Sequence, residues 1–138
     1  MQTFMPYANF EESLRVLDDQ RLGKQRVEGF QIIRTLTGIS AGWRQHPAVK
    51  MWRGAVPALI EYTLLSCEEW QRRGNRDSIT DKIYDLFHDL IDDNPIIPAW
   101  TADPRVIDSH KAMLFHKNPT HYKLFESYSH IKEYYWPI

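Results

Sequence analysis

A carboxylate set among cations on one helical face is the chemistry-bearing feature of this sequence. Arg21, Lys24, Glu28 and Gln31 lie at helical spacing, and at 100° per residue they share an arc of about 80°. Leu22, Gly29, Phe30, Ile33 and Leu36 fill the opposite side. A lone Glu between cations can stabilise a developing positive charge, or move a proton, beside a polyanion. That points to chemistry on a nucleic acid. Lys24 precedes Glu28, the less favourable order for an i,i+4 pair, so helix stabilisation does not account for the two. Arg26 falls in the apolar arc instead, where an arginine either snorkels or pairs with a buried carboxylate, so a structural role is expected.

Two further groups could contact phosphate. In Trp43-Arg-Gln-His-Pro-Ala-Val-Lys-Met-Trp52, His46 precedes a proline that opens a helix, where free backbone N–H groups can hold an anion. Arg44 and Lys50 flank it, and Trp43 and Trp52 offer stacking faces, although both also read as core residues. Between Ser109 and Tyr122, His110, His116 and His121 are spaced by six and five residues and interleave with Lys111 and Lys117. That spacing matches no standard metal signature, so phosphate contact is the better reading and no metal or other cofactor is expected. The aromatic tail with Tyr128, Tyr134, Tyr135 and Trp136 suits either base stacking or a hydrophobic clasp.

The elements that must position these residues are helical. Asn9 with Glu12 resembles a capping box for a short helix ending near Leu17. The next helix runs from about Asp19 to Leu36 and stops at Gly38. Helical pattern resumes at about Ala48, is broken or kinked by Pro57, and ends at Arg72-Arg-Gly-Asn. Ser78 is read as the cap of a helix to about Ile91, Asp103-Pro104 opens one to about His116, and Asn118-Pro119 opens a short one to about Glu126. Period-2 alternation is nearly absent. The expectation is an all-α, compact single domain over residues 1–138.

Composition adds limits. The net charge of −1 argues by itself against a nucleic-acid binder, but charge is segregated along the chain. Residues 15–76 carry 11 Lys/Arg against 6 Asp/Glu, whereas residues 77–108 carry 2 against 8. A focused basic cleft is compatible with an acidic face elsewhere. The single Cys67 excludes an internal disulfide and reads as a packed thiol. No apolar run approaches a membrane span and no signal pattern opens the chain, so a soluble, cytoplasmic, monomeric protein is expected.

Leu17-Asp-Asp-Gln-Arg-Leu22, with Glu28 eleven residues after Leu17, resembles the Leu-x-Asp-Gln-x-Leu…Glu helix of pyrimidine-dimer DNA glycosylases. The opening Met-Gln-Thr-Phe, Gly-Lys-Gln-Arg-Val-Glu, and His-Pro followed by Trp52 are similar to a bacterial branch of that family. The resemblance implies an all-α DNA glycosylase and abasic-site lyase acting on damaged or modified pyrimidines, in which the chain's own α-amine attacks deoxyribose C1′. An α-amine, with a pKa of about 7.7–8.0, is appreciably neutral and nucleophilic at pH 7. Glu28 matches the family's catalytic glutamate, and Gln20 matches its motif glutamine. Because the bulky Gln2 follows Met1, the reacting amine is expected to be that of Met1. Val27 and Gln31 stand where the family has arginines, and Arg21 replaces a histidine. The DNA contacts expected are Gln20, Arg21, Lys24, Arg44, His46, Lys50, His110, Lys111, Lys117 and His121. Two other readings stay open: a non-catalytic nucleic-acid or nucleotide-binding helical module, and a histidine-liganded metal bundle.

Overall fold

The helical periodicity is realised as six α-helices in a computed structural model that describes residues 1–138. They are α1 (Phe10–Arg15), α2 (Asp19–Leu36), α3 (Pro47–Lys50), α4 (Val56–Arg72), α5 (Ile79–Phe87) and α6 (Pro104–Lys117). Turns of 3-10 helix follow at His88–Leu90, Ala99–Ala102 and Lys123–Tyr128, and there is no strand. The fold is all-α.

The pair α2 and α4 forms the centre. Leu22, Ile32 and Ile33 of α2 and Leu59, Ile60 and Tyr62 of α4 are almost completely buried. Gly29 lets the two backbones approach, because a Cβ there would meet Thr63 Oγ1 at 2.3 Å. Thr63 Oγ1 donates to the Leu59 carbonyl and so is fixed in place. The apolar arc read from the sequence is therefore the buried face of α2, and its cationic arc faces outward.

Most boundaries agree with the periodicity, and the differences have local causes. Asn9 caps α1 as expected, accepting from Glu12 N–H. The helix expected from Ala48 is divided: α3 ends at Lys50, and a turn through Gly54 (φ 78°) leads to α4. Pro57 thus lies in the first turn of α4, where its missing N–H is harmless, and does not kink a longer helix. Asp77 caps α5 in place of Ser78, accepting from the N–H groups of Ile79 and Thr80. Asn118 ends α6 and Pro119 sits in a turn, so the last helical stretch starts later, at Lys123.

Arg26 has the structural role its angular position implies. Its guanidinium pairs with the Asp77 carboxylate and lies 4.6 Å over the Trp70 ring. Burial would raise the Asp77 carboxyl, but bonds from Thr80, Arg26 and Ile79 override it and hold it at about 2. Cys67 is buried, and burial with the Asp77 charge pushes its thiol up to about 12, away from nucleophilic use. No helix is long and apolar enough to cross a membrane.

Candidate active site

Residues 1–6 form no regular structure, yet Gln2, Thr3, Phe4 and Met5 are almost completely buried. A buried backbone needs partners for its polar groups, and here side chains supply them. Gln25 of α2 does most of this: its Oε1 accepts from Phe4 N–H at 2.9 Å and its Nε2 donates to the Gln2 carbonyl at 3.1 Å. Tyr62 donates its hydroxyl proton to the Phe4 carbonyl, and His110 Nδ1 accepts from Met5 N–H at 2.8 Å. Trp52 Nε1 donates to Thr3 Oγ1 at 2.9 Å. The last rung is Gln2 N–H, which donates to Glu28 Oε2 at 3.2 Å. Threaded between α2, α4 and α6, the N-terminal strap leads to Glu28.

At that end lies a cavity of about 190 Å³ whose walls include Met1, Gln2, Glu28, Arg21, Lys24 and Lys117. Tyr134 from the C-terminal tail closes one side. Arg21 is also paired with Asp18 at 3.0 Å, whereas Lys24 and Lys117 are exposed. The Met1 ammonium and Glu28 take part in none of the molecule's ion pairs. Three cationic side chains and an amine thus surround one carboxylate, despite the net charge of −1. A second, shallow trough of about 460 Å³ adjoins it, sharing Lys24 and Glu28 and lined further by Gln20, Val27, Gln31 and Trp70.

His46 belongs to the same electrostatic cluster. Its Nδ1 accepts from Ala48 N–H, capping α3, and its ring meets Trp136 edge-on at 5.9 Å. Burial and the Met1 ammonium lower its pKa, while Glu28 acts in the opposite direction. Burial, then the Glu28 charge, pushes the Tyr134 hydroxyl up to about 12. The charges of the Met1 ammonium and Glu28 thus reach His46, and that of Glu28 reaches Tyr134.

The other expected contacts are scattered. Lys117 reaches the cavity from the end of α6 and Gln20 the trough, while Arg44 is exposed ahead of α3 and Lys50 is half-buried at its last position. His121 binds the Val16 carbonyl at 3.0 Å, and the Lys111 ammonium sits among the rings of Tyr7, Phe125 and Tyr128, neither lining the cavity. His110 must be corrected outright. It is wholly buried between Phe4 and Tyr134, so it cannot touch DNA and serves as an anchor of the strap. No group of three or more His, Cys, Asp or Glu side chains converges on a point that could hold a metal ion.

His110 carries a pH prediction. Burial lowers its pKa to about 3, and its Nδ1 must remain an acceptor for Met5 N–H. The unfolded histidine titrates near about 6.5, so the unfolded chain binds the extra proton first. The stabilisation is full above pH 6.5 and declines as pH falls from there toward 3. Asp77, held at about 2, contributes its loss only below the ordinary carboxylate value. Melting temperature should fall between pH 6.5 and 4.5, and His110→Asn, which keeps an acceptor near Nδ1, should flatten that part of the curve.

Sequence reasoning did not assign Gln2, Gln25 or Tyr62 to the site. Gln25 gave one signal, a polar residue at the border of the apolar arc of α2; the use of its amide depends on a segment 21 residues away.

A family model for pyrimidine dimer DNA glycosylases matches residues 1–83. The chain belongs to that family. No curated protein and no solved structure matches it. Pyrimidine dimer DNA glycosylases are repair enzymes, so DNA is the substrate class for this member. The matched segment carries the strap, Gln25, Glu28, His46 and Tyr62. Lys117 and Tyr134 complete the cavity from outside that segment.

Proposed function

We propose that this family member is a monomeric glycosylase with abasic-site lyase activity on damaged or modified pyrimidines. The α-amine of Met1 is the nucleophile and Glu28 the catalytic carboxylate. The observation that carries the reading is the buried strap, which ends with Gln2 N–H on Glu28 Oε2 and brings Met1 to the same cavity.

The chemistry follows in balanced steps. The neutral amine attacks C1′ of an extruded nucleotide, and the N-glycosidic bond breaks with its electron pair going to the departing base, which takes up a proton. The nitrogen loses a proton. Its lone pair then forms the C1′=N bond as the C1′–O4′ bond opens with its electron pair going to O4′, which takes up a proton. The product is a protonated imine between Met1 and the sugar. Removal of a C2′ proton breaks the C3′–O bond and releases the 3′ phosphate oxygen. Water finally hydrolyses the imine. Glu28 stabilises positive charge at C1′ and accepts the C2′ proton, and Arg21, Lys24 and Lys117 hold the flanking phosphates. Reaching C1′ within a duplex requires extrusion of the nucleotide.

Borohydride trapping tests this directly. With DNA carrying a pyrimidine dimer or an abasic site, the reductant should convert the imine to a stable adduct mapped by mass spectrometry to Met1. No adduct on either DNA removes the lyase. Salt-sensitive binding without cleavage would favour the non-catalytic module.

A further inference from the structure

We propose that Trp43 is a base-stacking wedge whose indole enters the duplex and fills the gap left when a nucleotide is extruded toward Glu28. The inference rests on the glycosylase reading above and extends it to how the duplex is opened.

The structure separates the two tryptophans of the His46 region. Trp52 is fully buried and bonded to the strap, whereas Trp43 is 60% exposed. Trp43 is also the one non-glycine residue with positive φ, at 65°, a conformation that is unfavourable for a bulky side chain and clusters at functional sites. Packing does not explain it, since the ring's one aromatic neighbour is His46, met at 77° and 5.9 Å. The backbone around it is nevertheless fixed. Thr35 Oγ1 donates to the Gly42 carbonyl at 2.8 Å, His46 N–H to the Trp43 carbonyl at 2.9 Å, and the Arg53 guanidinium to the Arg44 carbonyl at 3.2 Å. A large apolar ring is thus held out to solvent on a fastened mount.

Its position relates it to the cavity. From Trp43, ring contacts pass to His46, then to Trp136 and to Tyr134, which lines the cavity. Arg44, the next residue, is exposed and supplies a cation at the base of the ring. An apolar side chain with an adjacent cation suits a nucleic acid, where inserted wedges part the bases while cations meet the backbone.

The test compares wild type with Trp43→Ala and Trp43→Phe, both at an exposed position. Binding is measured on a fully paired duplex and on the same duplex with an abasic site; borohydride trapping is measured on that abasic duplex and on the abasic single strand. Wild type should prefer the abasic duplex. Trp43→Ala should reduce that preference and the duplex trapping rate by about tenfold or more, with single-strand trapping changed less than about twofold, and Trp43→Phe should retain most of both. Unchanged preference and duplex rate in Trp43→Ala, or equal slowing on both substrates, overturns the wedge. A Trp43-dependent preference without any adduct would keep the wedge and remove the covalent mechanism. An adduct indifferent to Trp43 would do the reverse.

Discussion

Glu28→Gln will leave the protein folded and able to hold DNA while slowing the single-turnover rate by about 10²–10⁴-fold, the usual worth of a positioned acid–base group. The amide is nearly isosteric, and its oxygen can still accept from Gln2 N–H, the bond that Glu28 Oε2 makes at 3.2 Å. The strap therefore stays in place. What disappears, on the proposed mechanism, is the negative charge facing C1′ and the acceptor for the C2′ proton. Removing a carboxylate from among Arg21, Lys24 and Lys117 should leave DNA affinity equal or slightly higher. Equilibrium binding and single-turnover cleavage, run on the same preparation, separate the two effects. A variant that cleaves at the wild-type rate would take Glu28 out of the mechanism. Glu28→Ala is the less informative change, since it also strands Gln2 N–H in a buried site.

Acetylating the N-terminus, or extending it with a tag, will eliminate the borohydride adduct altogether. An acylated nitrogen has no lone pair available for C1′, so the expected loss is complete. An extension has a second effect: because residues 2–5 are buried, added residues must leave through the cavity that Met1 lines. A C-terminal tag is the matched control, as Ile138 is 67% exposed. An N-terminally blocked protein that still forms the adduct would transfer the nucleophile to another amine, with Lys24 and Lys117 the nearest choices on the cavity wall. If Met1 were cleaved, the new amine would be that of Gln2, whose nitrogen is already 3.2 Å from Glu28 Oε2.

The helices and the cationic face of α2 were legible because each depends on local periodicity. Asp19–Leu36 could be drawn from the angular positions of Leu22, Ile33 and Leu36 alone. A structural role for Arg26 was legible too, since an arginine in an apolar arc either snorkels or pairs with a carboxylate; that it pairs, and with Asp77, depends on tertiary packing. The strap was not. Nothing in Gln2, Thr3, Phe4 and Met5 announces that their backbone is satisfied by Gln25, Tyr62 and His110, because those bonds join positions 21, 58 and 105 residues apart. His110 misled for the same reason: beside Lys111 it reads as a phosphate ligand, and only tertiary packing shows it sealed behind Phe4 and Tyr134. The two tryptophans could not be told apart in sequence either. One is core and bonded to the strap, and the other lies at the surface in a segment where its φ is 65°.

The strap also sets an order of events during synthesis. The first residues to leave the ribosome are fastened by Gln25, Tyr62 and His110, so the last of these bonds can form only after α6 has been translated. Contacts of such long sequence separation form late, because the loops they close must be ordered first. A nascent or prematurely terminated chain that stops before His110 lacks the anchor of Met5 N–H, so on the proposed mechanism its α-amine is held less firmly beside Glu28. On the proposed lyase mechanism, full strand-cutting capacity would then arise late, in chains made nearly to the end, a quality check on an activity that is hazardous to a genome.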